Sequence, residues 1–471
     1  MTSATAEPRP ATLAALRASG HEQRPVKDEL RANLLARLGS SEPLFPDIVG
    51  FEDTVVPDLE RSLLAGHDVI LLGERGQAKT RLVRSLVGLL DDATPVVAGC
   101  EINCHPYAPT CVHCRELAAE RGEELPVDWL RRDRRFAEKL ATPDTSVGDL
   151  IGDVDPIRVA EGRYLADERT IHYGLVPRTN RGIMAINELP DLPERIQVAL
   201  LNVLEERDVQ VRGYTIRLPL DVMLVATANP DDYTNRGRII SPLKDRFGAQ
   251  VRTHYPRRLD HEIDIVHQEA APPPSGIQVR IPRFLDEVLA ELARQLRTSP
   301  QVNQRSGVSV RYTIGAHETM VAGAVRRAAV NGEATAVPRV VDLWPVVPAA
   351  LGRVEFDTLE EGNEEEIVER LLRHAILVVW RRYLGGEDFD DLIARFDDGL
   401  EVVTGDQTAA TTVLDQFGDS IPHLHRWMTR LDLPAEDPGT AASVVEFVLE
   451  GLHLGRRLNK DADREAWRFT A

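Results

Sequence analysis

The run Asp68-Val-Ile-Leu-Leu-Gly73-Glu-Arg-Gly76-Gln-Ala78-Lys79-Thr80 constrains this chain more than any other part of its 471 residues. Four apolar residues without polar alternation suit a strand covered on both faces, and Arg81-Leu-Val-Arg opens a helix. Between them lies the pattern G-x-x-x-x-G-K-[ST], with Ala78 in place of the second glycine. In such a loop the backbone N–H groups of Gly73, Glu74, Arg75, Gly76, Gln77 and Ala78 and the helix start cradle phosphates. Lys79 reaches the β- and γ-phosphates, and the Thr80 hydroxyl suits Mg²⁺. The plain alternative is a Gly-rich turn before a helix. Only five lysines stand beside 51 arginines, so a retained Lys at this position marks a need for a compact ammonium.

Apolar runs recur at Gly182-Ile-Met-Ala-Ile-Asn187 and Asp221-Val-Met-Leu-Val-Ala-Thr227, with helix-like segments between them. Strands alternating with helices predict an α/β parallel sheet. Past Pro256 the amphipathic stretches 259–269, 284–296 and 314–330 predict helices, and a break at 334–348 carries three prolines. The length prior of about three domains then divides into a partly helical leader (1–44), a core (45–255), a helical lid (256–333) and a C-terminal helical domain (334–471).

Lys plus Arg total 56 against 75 Asp plus Glu, a formal charge of -19. That balance argues against sequence-blind nucleic-acid binding, which needs clustered positive charge. The longest strongly apolar run, 375–380, is far too short to cross a bilayer. No secretory h-region follows Met1, so the expected compartment is the cytoplasm.

About 110 residues after the loop, Ile183-Met-Ala-Ile-Asn187-Glu188 is an apolar run ending in polar groups. The Glu188 carboxylate can orient or deprotonate a water attacking a γ-phosphate. Asn187 stands where Asp is usual in such ATPases. Its amide oxygen can accept from a Mg²⁺-bound water but brings no charge, which lowers the expected metal affinity or turnover. The next apolar run ends Ala226-Thr-Ala-Asn229-Pro, placing a polar side chain at the same sheet edge, although Asn-Pro also serves as a turn.

The ordered set of the Gly73 loop, Asn187-Glu188, Asn229 and Ser241-Pro-Leu-Lys-Asp-Arg246-Phe-Gly resembles the AAA+ ATPases of the MoxR and magnesium-chelatase subunit I clade. The resemblance runs from about Phe45 to Val330. Residues 147–180 look like that clade's helix-2 insert, and Val209 to Pro219, turning at Arg212-Gly213, looks like its β-hairpin before sensor 1. The resemblance implies a P-loop core with a helical lid, ATP and Mg²⁺ as ligands, and roles residue by residue. Lys79 and Thr80 would hold phosphate and metal, Asn187 would be a weakened metal-side residue, and Glu188 the catalytic carboxylate. Asn229 would be sensor 1, Arg246 the arginine finger, Arg311 sensor 2, and Ile48-Val49 the segment against adenine. A finger acts on a neighbouring subunit's nucleotide, so a ring is implied, expected to be a hexamer. For both arginines the bland alternative is a surface salt bridge.

All four cysteines fall within fifteen residues, Cys100-x₃-Cys104-x₆-Cys111-x₂-Cys114, with His105 and His113 interleaved. Four thiolates satisfy a closed tetrahedral Zn²⁺ site. An iron-sulfur cluster on the same ligands and four plain reduced thiols are the alternatives. Such a site is no defining part of the resembled family, and its place between the first helix and the insert suits a structural staple.

The expected function is an ATP-driven ring motor that remodels a protein client or drives metal or cofactor insertion. A MoxR-like chaperone would work with a von Willebrand A-type partner. A magnesium-chelatase motor would work with partner subunits on a porphyrin, and the long region past the lid favours the chaperone-like version. The alternative of another class, motivated by Asn187 and Ala78, is a scaffold that senses ATP and barely hydrolyses it. A transcriptional activator is disfavoured, because the insert holds no Gly-Ala-Phe-Thr-Gly-Ala-type loop.

Overall fold

A computed structural model describes residues 9–40, 43–155, 157, 168–205, 209–211, 214–216, 218–230, 239–303, 307–357, 362–418, 421–434, 437–463 and 466–471. They form two compact units. The first comprises residues up to 73 and 78–254, and the second residues 74–77 and 255–471.

The first unit is organised by a five-stranded sheet: β1 (Val69–Leu72), β2 (Phe136–Leu140), β3 (Gly182–Asn187), β4 (Val222–Ala228) and β5 (Ala249–Arg252). The order is β5-β1-β4-β3-β2, with every neighbouring pair parallel. Parallel strands need crossovers, so both faces are covered and β1, β3 and β4 are buried along their whole length. The period-2 pleat divides each of these strands between two cores. Val69, Leu71, Ile183, Ala185, Met223 and Val225 enter one. Ile70, Leu72, Met184, Ile186, Leu224 and Ala226 enter the other.

The described part of the leader belongs to this unit. Leu13 joins one core, while Val26, Leu30 and Leu34 of the helix Val26–Leu38 join the other. The same helix carries a buried bidentate pair, Glu29 with Arg135, at 2.6 and 2.7 Å. The Val26 N–H donates to Asp221 at 2.9 Å, which ties the helix start to the residue preceding β4.

Within the insert, Gly152–Val154 pairs antiparallel with Ile171–Tyr173, while 158–167 lie outside the described residues. Val209–Val211 and Tyr214–Ile216 pair antiparallel as the expected hairpin, and its turn Arg212-Gly213 also lies outside them.

The second unit is mainly helical. Helices Leu259–Glu269, Arg283–Thr298 and Val310–Asn331 cover the three amphipathic stretches of the sequence. One apolar core runs from Phe284 through Phe469, so no separate core marks off the residues after 334. The C-terminal region is not helical throughout. Val402–Gly405, Ala466–Thr470 and Asn459–Asp463 form an antiparallel sheet. Trp467 and Phe469, two residues apart on one face, favour a strand, and the Lys460 ammonium lies 3.7 Å from the Trp467 ring centroid. Among the described residues no helix is long and apolar enough to cross a membrane.

Candidate functional site

The site grows from the carboxyl ends of β1, β3 and β4, where a parallel sheet opens its crevice. The Gly73 N–H donates to the Ala228 carbonyl at 3.1 Å, which extends the β1 ladder by one step before the chain turns away. The turn is held by the Gln77 side chain, accepting from the Glu74 N–H at 3.1 Å. Two residues adopt left-handed backbone, Gly76 at φ 76° and Ala78 at φ 52°. Glycine meets that demand freely, whereas Ala78 carries a Cβ into it. Ala78 then caps the helix Lys79–Ser85, with Thr80 half-buried in its first turn.

Lys79 is buried, and its ammonium donates to the Gly73 carbonyl and, at 2.9 Å, to Asn229 Oδ1. Asn229 Nδ2 in turn donates to Glu188 Oε2 at 3.1 Å. Residues 79, 188 and 229 are thereby joined in one polar chain. Glu188 adopts a left-handed conformation at φ 55°, and its N–H donates to Thr227 Oγ1 at 3.1 Å. Non-glycine residues in that region cluster at functional sites, where the surroundings over-determine them.

Asn187 is buried beside this chain. Its Nδ2 donates to Glu138 Oε1 at 2.5 Å and its Oδ1 accepts from Thr227 Oγ1 at 3.4 Å. Glu138 also holds Arg84 bidentately at 2.7 and 3.1 Å, and that hydrogen bond and charge raise the exposed Arg84 above its ordinary value. Glu138 is the residue that sequence reasoning missed. It lies at the middle of β2, register-paired with Ala185 of β3.

The remaining expected residues have contacts of their own. Ile48 is buried in the leader-side core with Val49 half-buried after it. Arg246, at the end of the helix Ser241–Arg246, is half-exposed and pairs with Glu205 of its own chain. Arg311 belongs to the second unit, where its N–H donates to the Ser309 cap at 3.2 Å and its carbonyl accepts from Arg353 at 3.0 Å.

A second cluster lies in the first unit. Cys104, Cys111 and Cys114 are buried, Cys100 is half-buried, and all four thiols are free. Hydrogen bonds from Cys100, Cys111 and Cys114 hold the Cys104 thiol far below its ordinary value.

The model for the Sigma-54 interaction domain matches residues 159–243, which include β3 and β4 but not the loop at Gly73. The magnesium-chelatase subunit ChlI-1 of Arabidopsis thaliana is 30% identical over 206 residues, 43% of this chain and 45% of that protein. These matches support an AAA+ protein of the magnesium-chelatase-like clade. The magnesium-chelatase 38 kDa subunit of Rhodobacter capsulatus is 28% identical over 243 residues, 48% of this chain and 61% of that one. The chain thus spans 45% and 61% of the length of these two relatives. Among solved structures, a cryo-EM-based model of the BchI–BchD complex of magnesium chelatase is 23% identical, with a TM-score of 0.36. It covers 69% of this chain and 100% of its own.

Proposed function

We propose that this AAA+ chain binds MgATP at the Gly73–Thr80 loop and hydrolyses it as a ring motor acting with a partner protein. The observation that carries this reading is the hydrogen-bonded series from Lys79 through Asn229 to Glu188 at the crevice of the sheet. Two of the acceptors of the Lys79 ammonium, the Gly73 carbonyl and Asn229 Oδ1, are neutral oxygens, which phosphate oxygens outcompete. Glu188 orients the attacking water, and Asn229 links the state of that carboxylate to the state of Lys79. Mg²⁺, when bound, neutralises charge on the phosphates. Thr80 and Asn187 would hold the ion, and Glu138, itself paired with Arg84 and 2.5 Å from the Asn187 amide, would orient that amide. Arg246 acts on the neighbouring subunit's nucleotide and Arg311 senses it from the helical lid, the roles their motif positions carry in the family.

The curated relatives support coupling of this motor to magnesium chelation. The helical region beyond residue 334 supports protein remodelling beside a von Willebrand A-type partner, in a ring proposed as a hexamer. Both versions use the same ATP site. Titration of wild type and Lys79→Ala with a fluorescent ATP analogue tests the site: the variant is expected to bind about 10- to 100-fold more weakly. Equal affinity in the two proteins would remove the loop from the mechanism.

A further inference from the structure

The four cysteines contribute nothing to the polar chain at Lys79, and their geometry has its own logic. Their sulfurs all lie within 4.8 Å of one another, and Cys100 Sγ stands 3.9 Å from Cys111 Sγ. A zinc–thiolate bond of about 2.3 Å sets the edge of a tetrahedral four-sulfur site at about 3.8 Å. A disulfide would need its sulfurs at about 2.05 Å. The inorganic core of an iron-sulfur cluster stands between its cysteines and holds their sulfurs further apart than a single ion does.

Backbone N–H groups point at three of these sulfurs. Cys104 N–H donates to Cys100 Sγ at 3.3 Å, and the Thr110 and Cys111 N–H groups both donate to Cys104 Sγ at 3.4 Å. Cys114 N–H donates to Cys111 Sγ at 3.4 Å, which makes Cys111 the side-chain cap of the helix Val112–Arg121. Asn103, at φ 54°, makes the left-handed turn that brings Cys104 back toward Cys100. Four cysteines serving only as small hydrophobes would have no reason to aim at one point or to gather four backbone donors. Donors of this kind orient metal thiolates and tune their charge. A cavity of about 360 Å³, lined by Cys111, His113, Glu101 and Glu168 among others, borders the cluster at Cys111.

We infer that Cys100, Cys104, Cys111 and Cys114 bind one zinc ion as a closed tetrathiolate site that fastens the returning limb of the insert. The segment between the ligands makes the connections. Asn103 Nδ2 donates to the Arg178 carbonyl at 2.7 Å, and the Ile102 carbonyl accepts from Asn180 at 2.9 Å. The Val112 N–H donates to Glu168 at 2.9 Å. The ion fixes the loop, and the loop fixes residues 168–180. The site is structural, since all four positions are taken by protein and none is left for a substrate.

Elemental analysis of the full chain, purified without added metal, is expected to find about one zinc per chain and no iron. Chelation under reducing conditions followed by Co²⁺ alone is expected to give the intense visible bands of tetrahedral thiolate cobalt, lost in Cys111→Ser. Because loss of a ligand can unfold the segment, the cobalt spectrum of the wild-type chain stands as evidence by itself. Hydrogen exchange at 168–180 is expected to quicken when the metal leaves, and unchanged exchange would overturn the fastening role. Zinc below about a tenth of an equivalent, with no cobalt spectrum on reconstitution, would overturn the site. A sulfide-containing iron chromophore would overturn it equally.

Discussion

The polar chain at Lys79 and the cluster at Cys100–Cys114 belong to one unit but are assembled in opposite ways. The cysteines come from fifteen consecutive residues, and local turns bring them together. The groups around Lys79 come from positions 73, 138, 187, 188 and 229, and only the strand order β1-β4-β3-β2 makes them neighbours. A site of the first kind stands or falls with its own segment. A site of the second kind reports on the whole sheet and, if Arg246 serves a neighbouring subunit, on the assembly as well.

Substitutions can break this contrast at its widest point. Arg246→Ala is expected to lower steady-state ATP hydrolysis by about 10³-fold or more, with nucleotide affinity unchanged. Mixing it with an excess of Lys79→Ala chains should restore turnover, because each then supplies what the other lacks. Failure of that rescue would confine the site to one chain and leave Arg246 as the partner of Glu205 alone. Glu138→Gln, a change on a strand outside the loop, is expected to raise the Mg²⁺ concentration needed for half-maximal turnover by about 10- to 100-fold. An unchanged Mg²⁺ requirement would reduce Glu138 to an anchor for Arg84. The smallest effect concerns the loop itself. Ala78→Gly relieves a left-handed alanine and should stabilise the chain by about 1 kcal/mol in a denaturant titration. A loss of stability would mean that the alanine methyl makes a compensating contact.

The same contrast explains what could be read from the residues alone. The cysteine spacing is visible because nothing beyond fifteen residues is needed to assemble the cluster. Lys79 and Thr80 are visible for a similar reason, since strand, loop and helix follow one another directly. Glu188 and Asn229 were found through the apolar runs that precede them, which are long because β3 and β4 are buried on both faces. Glu138 was hidden. Phe136-Ala-Glu-Lys-Leu is a partly exposed edge strand with no apolar run, so its carboxylate gains meaning only when β2 is laid beside β3. The packing of the leader helix was hidden for the same physical reason. Glu29 reads as a solvated helix charge until Arg135, 106 residues away, is brought against it. The strands near the C-terminus were missed because two aromatic positions in a short polar segment carry little periodicity.

The central claim is that the series Lys79, Asn229 and Glu188 drives hydrolysis rather than mere recognition of ATP. Steady-state phosphate release by wild type and Glu188→Gln, measured beside ATP binding and with the partner protein present, tests it most directly. The account predicts turnover by wild type, a fall of about 10²- to 10⁴-fold in the variant, and retained ATP binding by both. Equal inactivity of the two proteins with ATP still bound would contradict it and make the chain an ATP-sensing scaffold.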